Sequence, residues 1–116
     1  DTNDNYVDNT NPWVDVRDVA LAHVLPLEDE KLAGRRLLIS GGYFTTQSIL
    51  DIVNKNFPSL KGKIAVGKPG TGLRNLDTVS QLENHVTNEL LNLKYHTLEE
   101  SIVDTFKTFE KLQTKD

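Results

Sequence analysis

The segment Trp13-Val14-Asp15-Val16-Arg17-Asp18-Val19-Ala20-Leu21-Ala22-His23 changes its period partway along. Trp13 to Val16 alternates apolar and polar, the pattern of a short half-buried strand. Asp18 then offers an N-cap carboxylate to a helix whose next residues, Val19, Ala20, Leu21, Ala22, Val24 and Leu25, leave little polar surface. Pro26 has no N–H to give and its ring clashes with the carbonyl of Ala22, so the helix is predicted to stop or kink there.

Downstream, Leu37-Leu38-Ile39 is a continuous apolar run, the mark of a strand buried on both faces. Gly41-Gly42 ends it, and Thr45 or Thr46 caps a helix with Ile49, Leu50, Val53 and Phe57 on one side and Pro58 at its close. Ile64-Ala65-Val66 is a third strand candidate. Val79, Leu82, Val86 and Leu90 form one stripe of a helix with Asp77 as its cap and Asn92 as its stop. Thr97 and Glu100 form a capping box before a last helix whose face is Leu98, Ile102, Phe106, Phe109 and Leu112. Four helices and three short strands follow. So few strands leave both faces of Leu37–Ile39 bare, so this run belongs inside a larger parallel sheet whose other strands are expected N-terminal to residue 1.

The 116 residues carry 13 basic and 17 acidic side chains, a net charge of −4, and neither Cys nor Met. The acidic balance disfavours nucleic acid and anionic membranes as partners. Without Cys there is no disulfide, thiol nucleophile or thiolate metal site. The apolar runs fall well short of the about 20 residues that span a bilayer. A chain that opens on Asp1 and lacks Met reads as a processed product or a fragment. Residues 1–12 are rich in Asp, Asn and Thr, which bond locally in turns, and are read as a loop; residues 13–116 are the structured part.

Few residues suggest chemistry directly. Gly62-Lys63-Ile64-Ala65-Val66-Gly67-Lys68 fits seven positions of a P-loop, but Pro69 stands where a magnesium-binding hydroxyl is needed, so the stretch reads as turn, strand and turn. Gly67, Gly70 and Gly72 lack the strand–turn–helix setting of a dinucleotide fingerprint. His23, His85 and His96 share no metal-ligand spacing. His23 reads as a partly buried imidazole on an apolar helix, the other two as surface residues. Arg17 and Asp18 are either a buried pair orienting the strand-to-helix turn or a capping Asp18 beside a solvated Arg17.

The string from Trp13 to His23 resembles the aromatic-Val-Asp-Val-Arg-Asp-Val-Ala-x-Ala-His segment of the extended short-chain dehydrogenases/reductases. Within them it is similar to the fungal NADPH-dependent methylglyoxal and ketone reductases, relatives of the dihydroflavonol and cinnamoyl-CoA reductases. Gly34-Arg35-Arg36-Leu37-Leu38-Ile39-Ser40, Phe57–Ile64 with Gly67-Lys68-Pro69-Gly70, Glu89–Tyr95 and Leu98–Thr105 agree in order and spacing. The resemblance runs from Trp13 to about Thr105. Asn92 and Pro26 depart from it, and Arg74-Asn75-Leu76-Asp77 resembles only loosely the diphosphate-directed Arg of sugar-nucleotide epimerases.

What the resemblance implies is an α/β chain, the C-terminal portion of a Rossmann-type reductase: a late sheet strand, flanking helices and a small substrate-covering subdomain. It implies a cytoplasmic enzyme in which a Tyr, its hydroxyl acidified by a nearby Lys, protonates a carbonyl as hydride arrives from NADPH. No catalytic residue is carried over, because Tyr6, Tyr43 and Tyr95 have Thr10, Gln47 and Glu99 four residues on instead of Lys. NADPH and its Gly-rich turn belong to the part N-terminal to this chain. Trp13 and Tyr6 are the substrate-side candidates, with residues 1–12 as a flap. Arg17, Asp18, Thr97 and Glu100 are expected to be structural. The partners are the rest of the same enzyme or a swapped protomer, and a small carbonyl substrate such as methylglyoxal or a bulky ketone. Taken alone, the chain is expected neither to catalyse nor to bind NADPH. The alternatives are a sugar-nucleotide epimerase or dehydratase, and a non-enzymatic α+β interaction module.

Overall fold

Strand β1, Thr10–Trp13, pairs antiparallel with β2, Gly42–Thr45, in a two-stranded ribbon with Trp13 opposite Gly42 and Pro12 opposite Tyr43. The computed structural model describes residues 6–72, 76 and 79–114. The alternation expected to continue to Val16 stops at Trp13, because Asp15 turns the chain into helix α1, Val16–Glu28. Asp15, not Asp18, is the N-cap: its carboxylate accepts the Arg17 backbone N–H at 2.8 Å. Asp18 lies one turn in and is buried.

The stop expected at Pro26 does not occur. One bond to the Ala22 carbonyl is lost close to the helix end, and the Asp29 N–H still closes the last turn on the Leu25 carbonyl. On α1, Asp18, Ala22 and Leu25 face inward; Ala22 forms a core with Leu32 and Leu91, against which Leu25, Leu37, Ile39, Leu90 and Leu93 pack. The opposite stripe, Val16, Ala20, Val24 and Leu27, is aliphatic and exposed, Leu27 to 86%.

Helix α2, Thr46–Asn56, starts where the sequence places it: Thr45 and Ser48 exchange side-chain bonds with each other's backbone. Helix α3, His85–Leu91, is shorter than expected; Ser80 to Asn84 stay outside it, and Asp77 lies outside the described residues. Asn92 ends α3 in the left-handed region, φ 48°. Helix α4, Leu98–Gln113, is capped by Thr97 and packs on α2 through Phe57 and Phe106, ring centroids 5.5 Å apart.

Neither Leu37–Ile39 nor Ile64–Val66 is a strand. A lone strand has no ladder partner, and side chains take over its backbone groups. Thr87 Oγ1 accepts the Leu38 N–H, and Asn84 donates to the Ser40 carbonyl. In the second segment Asn54 and Gln47 donate to the carbonyls of Ala65 and Val66, both at 3.0 Å. The result is a plate 17 Å thick, with a radius of gyration of 17.0 Å against about 13 Å for a compact chain of this length.

Candidate functional site

Two polar clusters meet the ends of α1 and α2. In the first, Arg17 grips Asp15 through Nε and Nη2 at 2.9 and 2.8 Å and reaches Asp104 on α4 at 2.8 Å. These bonds to the guanidinium hold the Asp15 carboxyl well below the usual carboxylate range, against the opposing effect of burial. The recess beside them is also lined by Ser101, Thr105 and Thr108. Two carboxylates neutralise its one cation, so it does not attract anions. Arg17 therefore partners Asp15 and Asp104, not Asp18 as one of the expectations had it.

Asp18 instead accepts the His96 backbone N–H and ring Nδ1, at 2.9 and 2.7 Å. His96 is thus a half-buried partner and not a free surface residue, whereas His23 on α1 is exposed and bonds only its own turn, to the Val19 carbonyl. Ligand atoms of Asp15, Asp18 and His96 lie within 4.8 Å of one another, a convergence invisible in their sequence spacing. Asp15 is committed to Arg17 and Asp18 to His96, so both carboxylates of the trio already have partners. Beside it, burial and the Asp18 charge push the Tyr95 hydroxyl up; that hydroxyl donates to Asn88 at 2.8 Å. Thr97 accepts the Glu100 N–H, while its hydroxyl donates to the Glu100 carboxylate, which replaces the reciprocal backbone bond of a full capping box.

The second cluster lies along the ribbon. The Trp13 indole rests on Gly41, where a Cβ would come within 3.2 Å of the ring. The Gly41 N–H donates to the Trp13 carbonyl at 2.7 Å, and the Ser40 hydroxyl accepts the Gly42 N–H and donates to the Gly42 carbonyl. Tyr43 accepts the Leu82 N–H and donates to the Ser80 carbonyl. Tyr6 donates its hydroxyl to Gln47, which is 0% exposed, and Asp8 accepts the Gln47 N–H at 3.0 Å. Trp13 and Tyr6 thus flank one ribbon. Trp13 is half-buried on glycine, and Tyr6 is tied by its polar end.

Gln47, Asn84, Thr87 and Asp104 escaped the sequence reading. One signal was present: Gln47, Asp51 and Asn54 repeat at helical spacing on α2 beside its apolar face, a polar stripe that needs loop backbone to bond. The glycine-rich loop at residues 67–72 does not suit the diphosphate of a dinucleotide. Gly67 is closed off by Gln47 and Tyr6, and no helix begins at residues 67–72. Among the described residues no helix is long and apolar enough to cross a membrane.

No family profile matches the chain. It is 44% identical over 103 residues, 89% of its length, to an uncharacterized oxidoreductase of Saccharomyces cerevisiae. It is 42% identical over 101 residues, 87% of its length, to the NADPH-dependent methylglyoxal reductase of the same yeast. In both cases it spans 30% of the relative, so the chain covers about a third of the curated proteins it matches. The crystal structure of the yeast methylglyoxal/isovaleraldehyde reductase complexed with NADPH superposes with a TM-score of 0.89 at 38% identity, over 97% of this chain and 37% of that one. The Candida albicans counterpart with NADPH gives 0.84 at 40% identity, over 90% of this chain and 31% of that one. The chain resembles the C-terminal part of these fungal reductases, and its fold is that portion of a Rossmann-type reductase.

Proposed function

We propose that this chain is the substrate-side portion of an NADPH-dependent aldehyde/ketone reductase, cytoplasmic and free of membrane, that transfers hydride to small carbonyl compounds such as methylglyoxal or isovaleraldehyde. The carrying observation is superposition along nearly its whole length on an NADPH-bound reductase of that specificity. The relatives are oxidoreductases, which favours this reading over an epimerase or an interaction module.

On this reading the cofactor is held outside these residues, and no step passes through a nucleotide site here. Residues 13–116 supply one wall of the substrate cleft and residues 1–12 its flap. Trp13 offers a large apolar surface to a carbonyl substrate, its orientation set by Gly41. Arg17, Asp18, Thr97 and Glu100 hold the helix ends that carry this wall. The exposed stripe Val16, Ala20, Val24 and Leu27, with Leu38, fits against the parallel sheet of the cofactor-holding part of the enzyme, or of a swapped protomer.

The test mixes this chain with the separately expressed cofactor-holding part of the yeast relative and follows NADPH consumption with methylglyoxal and with isovaleraldehyde. Activity that neither piece has alone, and that Val24→Asp with Leu27→Asp abolishes, is the expected result. Restored NADPH binding without turnover of any aldehyde or ketone would overturn the proposal.

A further inference from the structure

Gln47 joins three pieces of chain that are far apart in sequence. Its side-chain oxygen accepts the Tyr6 hydroxyl and the Lys68 N–H, the latter at 2.8 Å. Its amide nitrogen donates to Asp51 at 2.8 Å and to the Val66 carbonyl at 3.0 Å. All four bonding positions of a primary amide are used, in a side chain with no exposed surface. Around it, Asp8 accepts the Gln47 N–H, Asn9 accepts the Thr46 N–H at 3.2 Å, and Asp51 accepts the Gly70 N–H at 3.1 Å. Gly67, at φ +65°, lies so close that a Cβ there would sit 2.2 Å from the Gln47 oxygen and 2.4 Å from the Tyr6 hydroxyl.

We propose that Gln47 is a positioning residue, the latch that makes the segment Tyr6–Asn9 and the loop Val66–Gly70 a single unit at the head of α2. Its oxygen is shared between one donor from each segment, so displacing either segment disturbs the bond held by the other. An amide suits this point because it must accept from Tyr6 and Lys68 while donating to a carboxylate and a carbonyl; neither Glu nor an apolar residue does both. The functional side of this inference rests on the proposed function, in which the segment leading into Trp13 covers substrate: the latch then sets the flap's position through a loop that is remote in sequence.

The test is amide hydrogen exchange on the whole chain, read at two pairs of sites. Thr46 and Gln47 N–H groups report the first segment, because Asn9 and Asp8 cover them; Lys68 and Gly70 N–H groups report the loop. Gly67→Ala, whose Cβ would meet both the Gln47 oxygen and the Tyr6 hydroxyl, is expected to raise exchange at Thr46 and Gln47 as well as in the loop by about tenfold or more, with α4 unchanged. Tyr6→Phe removes only the first segment's bond to Gln47, yet it is expected to raise exchange at Lys68 and Gly70 in the loop. Gln47→Glu sets two carboxylates face to face and releases both segments. Adding Asp51→Asn restores a donor opposite Glu and returns both pairs towards the parent values, which a merely space-filling Gln47 would not do. Exchange that rises only in the segment carrying each substitution, or no recovery in the double variant, overturns the latch. These readouts involve no substrate, so they stand or fall separately from the reductase reading. That reading is tested by the KM for isovaleraldehyde in the reconstituted enzyme, which Gly67→Ala is expected to raise more than it lowers kcat.

Discussion

Asp18 and His96, 78 positions apart, are joined by two hydrogen bonds through both oxygens of one buried carboxylate. This contact ties the first turn of α1 to the residue that precedes the Thr97 cap of α4. Asp18→Ala is expected to cost about 1.5–3 kcal/mol, the range for hydrogen bonds to a charged group. Chemical denaturation of parent and variant checks this; a loss under half a kilocalorie would mean the contact carries little of the fold.

Acid should weaken the fold through Asp15. Its folded-state carboxyl titrates below the ordinary value of 3.8, so its contribution is complete above that value and is lost as pH falls through the folded-state one. Unfolding midpoints should therefore hold from neutral pH down to the ordinary value of 3.8 and drop below it, and Asp15→Asn should flatten that drop. The Arg17–Asp104 arm is half-exposed and contributes little.

Alkali should act through Tyr95. Its hydroxyl titrates above the ordinary 10.0 in the folded chain, so the unfolded chain loses its proton first and stability falls as pH rises past that value. Tyr95→Phe gives up the bond to Asn88, about 1 kcal/mol at neutral pH, but should remove this alkaline decline. Thermal unfolding of both proteins across that range decides it.

The seat of Trp13 is open to a direct optical test, because it is the one tryptophan of the chain. A methyl at position 41 would meet the indole at 3.2 Å, so Gly41→Ala should lift the ring, shift its emission to the red and cost about 1–2 kcal/mol of packing. Unchanged emission would show that the ring does not rest on this glycine.

Local signals alone were enough to place α2 and α4: Thr45 and Thr97 bond backbone a few residues ahead, and Asn92 takes up its left-handed stop within its own turn. The family resemblance was likewise legible, since it rests on short motifs in order. Tertiary structure decided what depended on distant partners. Leu37–Ile39 has the composition of a strand, but a ladder needs a neighbour, and Thr87 and Asn84 bond its backbone instead. Asp18 offered a cap by position, yet Asp15 reached the Arg17 N–H and left Asp18 to His96. The latch at Gln47 came from three separate segments, because a buried amide must satisfy every donor and acceptor with whatever the fold brings within reach, and sequence spacing carries no record of that.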